Sequence, residues 1–398
     1  MSLLPLEEAL ARLLAMADAD AIKEMESVPL AEAEGRVLAK PVVSTLDLPP
    51  WSNSAMDGYA LRLADLQDAP LPVSQRILAG QSPRPLIPNT CARIFTGAPM
   101  PDGADTVEMQ ENTEVLDDGR VRFLEPLKLG KNVRLKGNET RQGDMVLEAG
   151  KRLGPVELGV AASLGCATLD VFRRARVAIL STGDELVEPG LPLGPGQIYN
   201  SNRVVLSSWL KRLGCQVIDA GILPDDLART REQLGRLDDI DLILSTGGVS
   251  VGEADFLGQA LREEGELTLW KLALKPGKPL TCGRFNGVPV IGLPGNPAST
   301  LVTFGLLARA YLLRRMGVQS VEPLTLQVTA GFNWTRVGDR REYQRARLEN
   351  GRVMPHRDQG SNVLRTAAWA DGLVEVREGK TIAEGDQVNF IPLSELMA

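Results

Sequence analysis

Between about residues 176 and 317, short apolar runs alternate with stretches of helical periodicity, and this alternation commits the block to a mostly parallel sheet covered by helices. Strands are predicted at 177–180, from Val217, at 242–244, over 267–274 and over 280–293, the last broken by an Asn286-Gly287 hairpin turn. A helix is predicted at 202–213, where Val205, Leu206, Trp209, Leu210 and Leu213 recur at helical spacing and Gly214 ends the run. Further helices are predicted at 225–237 and 254–264, and another is expected to be capped by Asn296, to begin at Pro297 and to run to Gly317.

The flanks differ in character. Residues 46–138 are rich in Pro and Gly, with an Asp118-Gly119 turn, and predict a small β domain. From about Pro323 onward, short apolar runs around an Asn350-Gly351 turn predict a compact all-β domain, and 144–172 reads as a connecting module. With 398 residues the chain has room for several such domains. Residues 1–14 carry Glu7 and Glu8 among Leu6, Leu10, Leu13 and Leu14, which predicts an amphipathic helix and no signal peptide. The longest uncharged stretch, 285–308, is interrupted by Pro289, Pro294 and Pro297 and predicts no membrane span.

Composition narrows the chemistry. The one histidine is His356, and Cys91, Cys166, Cys215 and Cys282 lie far apart with no Cys-x-x-Cys spacing. That inventory cannot build a zinc site of histidine and thiolate and does not read as a disulfide framework, so a catalytic metal is expected to be oxygen-bound. A net charge of −7 argues against a broad nucleic-acid footprint. A soluble, reduced, cytoplasmic protein is expected, with neither nucleic acid nor membrane as partner.

Three apolar strands run straight into glycine-containing loops: Val177-Ala-Ile-Leu-Ser-Thr-Gly-Asp-Glu185, Leu242-Ile-Leu-Ser-Thr-Gly-Gly-Val-Ser-Val-Gly-Glu-Ala-Asp255 and Val288-Pro-Val-Ile-Gly-Leu-Pro-Gly-Asn-Pro297. In an open parallel sheet such loops gather beyond the carboxyl ends of the strands, where backbone amides, hydroxyls and helix N-termini suit a phosphorylated ligand. A single loop of this kind is ordinarily just a tight turn; three together favour binding. Acids accompany them: Asp184 and Glu185, Asp225 and Asp226, Glu253 and Asp255. Carboxylates beside a phosphate call for an intervening cation, and Mg²⁺ is held by a few carboxylates together with substrate phosphates. Helix capping is the ordinary alternative, and it is favoured for Asp226. Lys271, Lys275 and Lys278 flank a Pro-Gly turn; Lys271 and Lys275 would share a face of one extended strand and suit an oxyanion, although a solvated face is the commoner fate of a lysine pair. In the first β domain, Asp57 precedes a glycine, and Thr96 stands in a small turn where it could donate to an oxyanion.

Asn53-Ser-Ala-Met-Asp-Gly-Tyr-Ala60, Thr96-Gly-Ala-Pro99, Ser181-Thr-Gly-Asp-Glu185, the 245–255 loop, Lys275-Pro-Gly-Lys-Pro279 and Leu293-Pro-Gly-Asn-Pro297 together resemble the molybdopterin molybdenumtransferases, the bacterial relatives of the gephyrin E domain. The resemblance spans essentially the whole chain in order. It implies Mg²⁺-dependent insertion of molybdate into adenylylated molybdopterin, giving molybdenum cofactor and AMP. It also implies a homodimer whose active site lies at the subunit interface, with the molybdopterin adenylyltransferase and cofactor-accepting proteins as further partners.

The implied fold is a multi-domain α/β protein. Its α/β molybdopterin-binding domain comprises 1–25 and 173–320, with a discontinuous connecting module at 26–45 and 140–172, a small β domain at 46–139 and a β-barrel-like domain at 321–398. By motif, Asp57, Thr96, Glu185, Asp225, Asp255, Lys271 and Lys275 match functional positions, and Glu185, Asp225 and Asp255 would hold the metal. Substrate would be bound by Ser181, Thr182, Gly183, Ser245, Gly247, Gly248, Ser250, Gly252, Glu253, Lys278, Pro294, Gly295, Asn296 and Pro297, and in the last domain by Arg345 and Ser361. The chain departs from the family pattern twice. It reads Lys136-Gly-Asn-Glu139 where Gly-Glu-Asp is usual, and Gln359-Gly-Ser-Asn362 where the segment often ends in His. Two other readings stand beside this one. The adenylyltransferase of the preceding step shares the Gly-Gly-Val-Ser loop, but the additional β domains disfavour it. A scaffold like gephyrin is disfavoured because no long linker or fused domain is visible.

Overall fold

The structure is a computed structural model that describes residues 3–67, 69–223, 226–248 and 256–397. The chain forms two compact units, one of Met1–Ala39, Gly150–Gly154 and Thr168–Ala398, the other of Lys40–Ala149 and Pro155–Ala167.

The smaller unit is built on a six-stranded sheet of β1 (Gly58–Leu61), β2 (Leu71–Ile77), β3 (Cys91–Ile94), β4 (Thr106–Met109), β5 (Thr113–Val115) and β6 (Arg120–Phe123), in the order β4-β1-β3-β2-β6-β5. Side chains alternate across the pleat, so Tyr59 and Leu61 enter one apolar cluster with Cys91 and Val121, whereas Ala60 enters another with Ile77, Ile94 and Val107. The predicted Asp118-Gly119 turn joins β5 to β6, with Gly119 at φ +81°. A short antiparallel pair, Val42–Val43 with Met145–Leu147, belongs to the same unit.

The larger unit contains the predicted α/β block. Its sheet holds β7 (Arg176–Thr182), β8 (Gln216–Leu223), β9 (Leu242–Thr246), β10 (Gly265–Lys271), β12 (Pro279–Phe285) and β13 (Val288–Leu293), where β11 is the two-residue Leu274–Lys275. The order is β8-β7-β9-β13-β12-β10; the first four are parallel, and β12 and β10 add antiparallel strands. Helices α1 (Leu6–Ala19), α2 (Ser201–Arg212), α3 (Leu227–Gly235) and α4 (Phe256–Glu264) accompany it. So do α5 (Pro297–Thr303) and α6 (Arg309–Arg315), joined by a π-helical turn at Phe304–Ala308. The face buried by α1 is Leu6, Ala9, Leu13 and Ala17, so the predicted leucine stripe is rotated toward the two alanines, whose small side chains let α1 lie close to α6. Leu206, Trp209 and Leu210 carry α2 into the same core, each large side chain contributing about 1.5–3 kcal/mol by leaving water.

Three local expectations change. Helix α3 starts at Leu227, and Asp226 is its N-cap, accepting the Arg229 N–H at 2.8 Å, which is the capping role favoured for it. Asn296 occupies the cap position before Pro297, but its side chain makes no cap bond and turns to Ser361 instead. Lys271 and Lys275 do not share one strand: β10 ends at Lys271, Leu272 N–H bonds to the Lys278 carbonyl, and Lys275 sits in β11. The predicted hairpin at Asn286-Gly287 is present, with both residues at positive φ.

The C-terminal strands β14 (Leu326–Ala330), β15 (Arg341–Glu349), β16 (Arg352–Pro355), β17 (Gly372–Val376) and β18 (Gln387–Pro392) pair in a ring, β15-β16-β14-β18-β17 and back to β15. The ring is a closed five-stranded barrel filled by Ala330, Ala346, Val353, Val374, Val388 and Phe390. Beyond it, the chain end returns to the α/β block, where Trp209 Nε1–H donates to the Leu396 carbonyl at 2.8 Å.

Candidate functional site

Because the chain loops back after Lys271, the three lysines of the 271–278 segment converge on one cavity of about 690 Å³. Its wall also includes Gly247, Gly248, Pro294, Gly295, Asn296, Arg340, Gln359 and Ser361. Lys275 pairs with Glu342 at 3.0 Å. Among the described residues, the ammonium groups of Lys271 and Lys278 have neither an ion-pair nor a hydrogen-bond partner, so this cavity carries uncompensated positive charge that suits an oxyanion. The turn that shapes it needs glycine at 277: φ is +118°, and a Cβ there would overlap the Thr303 hydroxyl.

Ser361 reaches the cavity on a loop from the barrel domain. Asn296 Nδ2–H donates to its Oγ at 3.2 Å, and its carbonyl accepts the Ala298 N–H at 2.9 Å. Arg345, expected to line the cleft, is fully buried beneath that loop, where it borders the neighbouring cavity at the barrel mouth. Its Nε–H bonds Thr366 Oγ1, its Nη2–H bonds the Gly360 carbonyl, and its backbone exchanges two hydrogen bonds with the Gln359 amide. Burial pulls its guanidinium below the usual range, opposed by the charge of Asp358.

A second cavity of about 530 Å³ shares Gly247, Gly295 and Asn296 with the first. It is lined by Thr182, Glu185, Tyr199, Asn200, Thr246, Pro297 and Asn362, among others. Asn202 Nδ2–H donates to the Gly295 carbonyl at 2.6 Å and fixes the partition between the two cavities. Glycine is required at 247 as well, where φ is +85° and a Cβ would press on the Thr182 carbonyl at 2.9 Å. Ser181 and Ser245 lie buried under the loops: Ser181 Oγ is 3.1 Å from Thr246 Oγ1, and Ser245 Oγ–H donates to the Gly247 carbonyl. They shape the loops, while Thr182 and Thr246 face the cavity. Gly183, at φ +135°, lets the Glu185 carboxylate fold close over it.

Of the three acids expected to hold a metal, Glu185 lines this second cavity with no hydrogen bond or ion pair on its carboxylate among the described residues. Asp225 and Asp255 lie outside the described residues, as do Ser250, Gly252 and Glu253. No group of three His, Cys, Asp or Glu that could hold a metal occurs among the described residues. Among the described residues neither cavity wall contains His or Cys, so the metal donors that the second cavity offers are oxygens. Burial pushes the thiols of Cys91, Cys215 and Cys282 up to about 12, which keeps them protonated at neutral pH.

In the smaller unit Asp57 and Thr96 come together. Thr96 donates both its N–H, at 2.8 Å, and its hydroxyl, at 2.9 Å, to Asp57 Oδ1. The hydroxyl proton that Thr96 could offer to an oxyanion is donated here to Asp57. Arg93, stacked at 4.6 Å over the Phe95 ring, adds positive charge nearby.

Residues 4–165 match the MoeA N-terminal region (domain I and II), 178–314 a probable molybdopterin binding domain, and 327–393 the MoeA C-terminal region (domain IV). A molybdopterin molybdenumtransferase of Haemophilus influenzae is 38% identical over 384 residues, spanning 94% of this chain and 95% of the relative. The chain belongs to the MoeA family of molybdopterin molybdenumtransferases. A second such relative, from Nostoc, is 41% identical over 338 residues, 81% of this chain and 77% of the relative. The crystal structure of the molybdopterin biosynthesis MoeA protein from Pyrococcus horikoshii OT3 aligns with a TM-score of 0.83 at 27% identity, covering 98% of this chain and 100% of that one. As a member of the MoeA family the chain is a transferase, and its mixed α/β architecture with a C-terminal barrel is that of its structural neighbours.

Several residues of this MoeA-family site were not visible in the sequence. Glu342, Arg340 and Asn202 lie 67, 65 and 73 residues from Lys275, and only strand pairing or helix placement brings them in. Asn362, which stands where the family segment often ends in His, lines the cavity of Glu185. Glu139 enters neither cavity wall; its N–H bonds the Leu48 carbonyl.

Proposed function

We propose that this chain carries out the last step of molybdenum cofactor biosynthesis, inserting molybdate into adenylylated molybdopterin with release of AMP. The family supports a role in molybdenum cofactor biosynthesis; the observation that carries the finer reading is the pair of cavities joined over Gly247 and Gly295. One presents three lysines and the other a carboxylate without a partner among the described residues, set among threonines and asparagines, so a ligand with oxyanions along its length and a cation-bridged anhydride suits both at once.

In this reading Lys271, Lys275 and Lys278 hold molybdate and phosphate oxygens, and Ser361 orients an oxygen at the far wall. The glycine turns at 247 and 248 and Pro294 to Pro297 seat the substrate, while Thr182 and Thr246 donate within the second cavity. Glu185, joined by Asp225 and Asp255, would hold Mg²⁺, which when bound supplies positive charge against the anhydride oxygens. Asp57, kept ionised by Thr96, acts from the small β domain. Arg345 is a positioning residue for the Ser361 loop. The proposed assembly is a homodimer with its active site at the subunit interface, and the proposed domain division is that of the sequence reading. Each of two antiparallel pairings, Met25–Pro29 with Thr168–Phe172 in the larger unit and Val42–Val43 with Met145–Leu147 in the smaller, brings together two stretches distant in sequence, as a discontinuous connecting module would.

Purified protein mixed with adenylylated molybdopterin, molybdate and Mg²⁺ should release AMP only when molybdate and Mg²⁺ are both present. AMP release that ignores molybdate would sink the proposal.

A further inference from the structure

Of the three lysines in the oxyanion cavity, Lys275 alone has a carboxylate partner among the described residues, and that partner comes from the barrel. Glu342 is 8% exposed. Its Oε1 accepts Lys275 Nζ–H at 3.0 Å while its Oε2 accepts Gln344 Nε2–H at 2.7 Å, so the carboxylate is fixed from both sides. The backbone sets this meeting: β11 runs parallel to the start of β15 with Lys275 opposite Glu342, and Arg341 N–H bonds the Ala273 carbonyl at 2.8 Å. Glu342 and Gln344 share the strand face of Ala346, which points into the barrel core, so the carboxylate belongs to the barrel mouth.

Lys275 has somewhere else to be. Besides the lysine cavity it lines a third cavity of about 520 Å³ at the barrel mouth, together with Trp334, Glu342, Gln344 and His356. Its side chain is 45% exposed, which leaves it room to reorient, whereas Glu342 is buried and held by a hydrogen bond on each oxygen. A fixed carboxylate also competes directly with an incoming oxyanion for the same ammonium, because both accept from it and both carry the charge it seeks.

We propose that Glu342 is a positioning residue, parking the Lys275 ammonium at the boundary between the oxyanion cavity and the barrel mouth so that an anion must draw it off the carboxylate to bind. Glu342 thereby sets how tightly the site holds oxyanions. This rests on the oxyanion reading of the lysine cavity.

The test is calorimetric titration of the full chain with molybdate, and with sulfate as a second tetrahedral dianion, in wild type, Glu342→Gln, Lys275→Met and the double variant. Gln keeps an acceptor for Lys275 but removes the competing charge, so Glu342→Gln should bind both anions about five-fold more tightly. A residue acting through Lys275 should lose that gain in the Lys275→Met background, which a merely structural role would not produce. Equal affinities of wild type and Glu342→Gln, or the same gain with Met at 275, overturns the assignment. Failure of the wild-type chain to bind either anion overturns the oxyanion reading itself, and this assignment with it.

Discussion

Thr96 places two hydrogen-bond donors on a single oxygen of Asp57, its backbone N–H at 2.8 Å and its hydroxyl at 2.9 Å. The N–H first, then the hydroxyl, and then the charge of Arg93 favour the ionised carboxylate and hold its pKa below the usual range. A depressed carboxyl is charged at every pH above its ordinary value, and what it contributes to stability is lost only as pH falls through the lower folded value. Thr96→Val removes one donor, so NMR titration of the Asp57 carboxyl should show its midpoint rising toward that of an ordinary aspartate. An unmoved midpoint would show that the hydroxyl does not support the charge.

Lys271→Met and Lys278→Met each remove an ammonium that has no partner among the described residues, so the fold should be unaffected. Oxyanion affinity should fall about ten-fold in each, and the salt dependence of binding should weaken. Titration with molybdate at two ionic strengths measures both, and wild-type affinity in either variant would remove that lysine from the site.

Gly277→Ala asks for a Cβ at φ +118° against the Thr303 hydroxyl, which lies buried without a hydrogen-bond partner among the described residues. Backbone strain and overlap should together cost about 2 kcal/mol or more in urea unfolding. Adding Thr303→Ala should recover part of that loss, because the overlap disappears and the strain remains.

Arg345→Met leaves the Gly360 carbonyl and the Thr366 hydroxyl without their donor, so a loss of about 2–3 kcal/mol is expected in denaturant unfolding. Ser361 should be displaced with its loop and oxyanion affinity should fall. Unchanged affinity in a folded Arg345→Met protein would separate the arginine from the cavity.

Asp241 anchors the start of the α/β sheet. It accepts two hydrogen bonds from Arg173 at 2.7 and 3.0 Å, one from Arg176 N–H at 2.7 Å, and faces Arg315. Burial alone would raise its carboxyl, but the Arg173 hydrogen bond, the Arg176 N–H and the charges of Arg173 and Arg315 outweigh it and hold it low. Asp241→Asn should cost about 3 kcal/mol near neutral pH, by leaving the arginines short of a counter-charge. Since the wild-type contribution disappears as pH falls through the depressed folded value, the two proteins should converge in acid. A gap that stays constant from neutral pH into acid would contradict this.

The α/β block was legible because its signals are local. Apolar runs, the Asn286-Gly287 turn and the stop at Gly214 each act within a few residues, and the strands and helices stand near where those signals put them, with shifted ends at Leu227 and Lys271 and a π-helical turn at Phe304–Ala308. The glycine loops were legible for the same reason, since backbone at positive φ beside a close neighbour leaves few residue types. The lysine cavity was only half visible. Lys271 and Lys275 do meet, but by a strand ending and a loop folding back, and nothing in their four-residue spacing told that apart from one straight strand. Glu342 was out of reach because its role depends on a parallel pairing 67 residues apart in sequence, and the burial of Arg345, a position the motif did mark, depends on barrel closure. Sequence periodicity is silent about which strands pair.

The two-residue strand Leu274–Lys275 is hydrogen-bonded to the barrel, although it follows the strand Gly265–Lys271 of the α/β sheet. The border that sequence comparison draws between residues 314 and 327 is therefore no border of the site. A chain cut there would keep every lysine of the cavity and still lose the template that registers Lys275. Grafting the α/β block alone onto another protein would transplant the charges without their geometry.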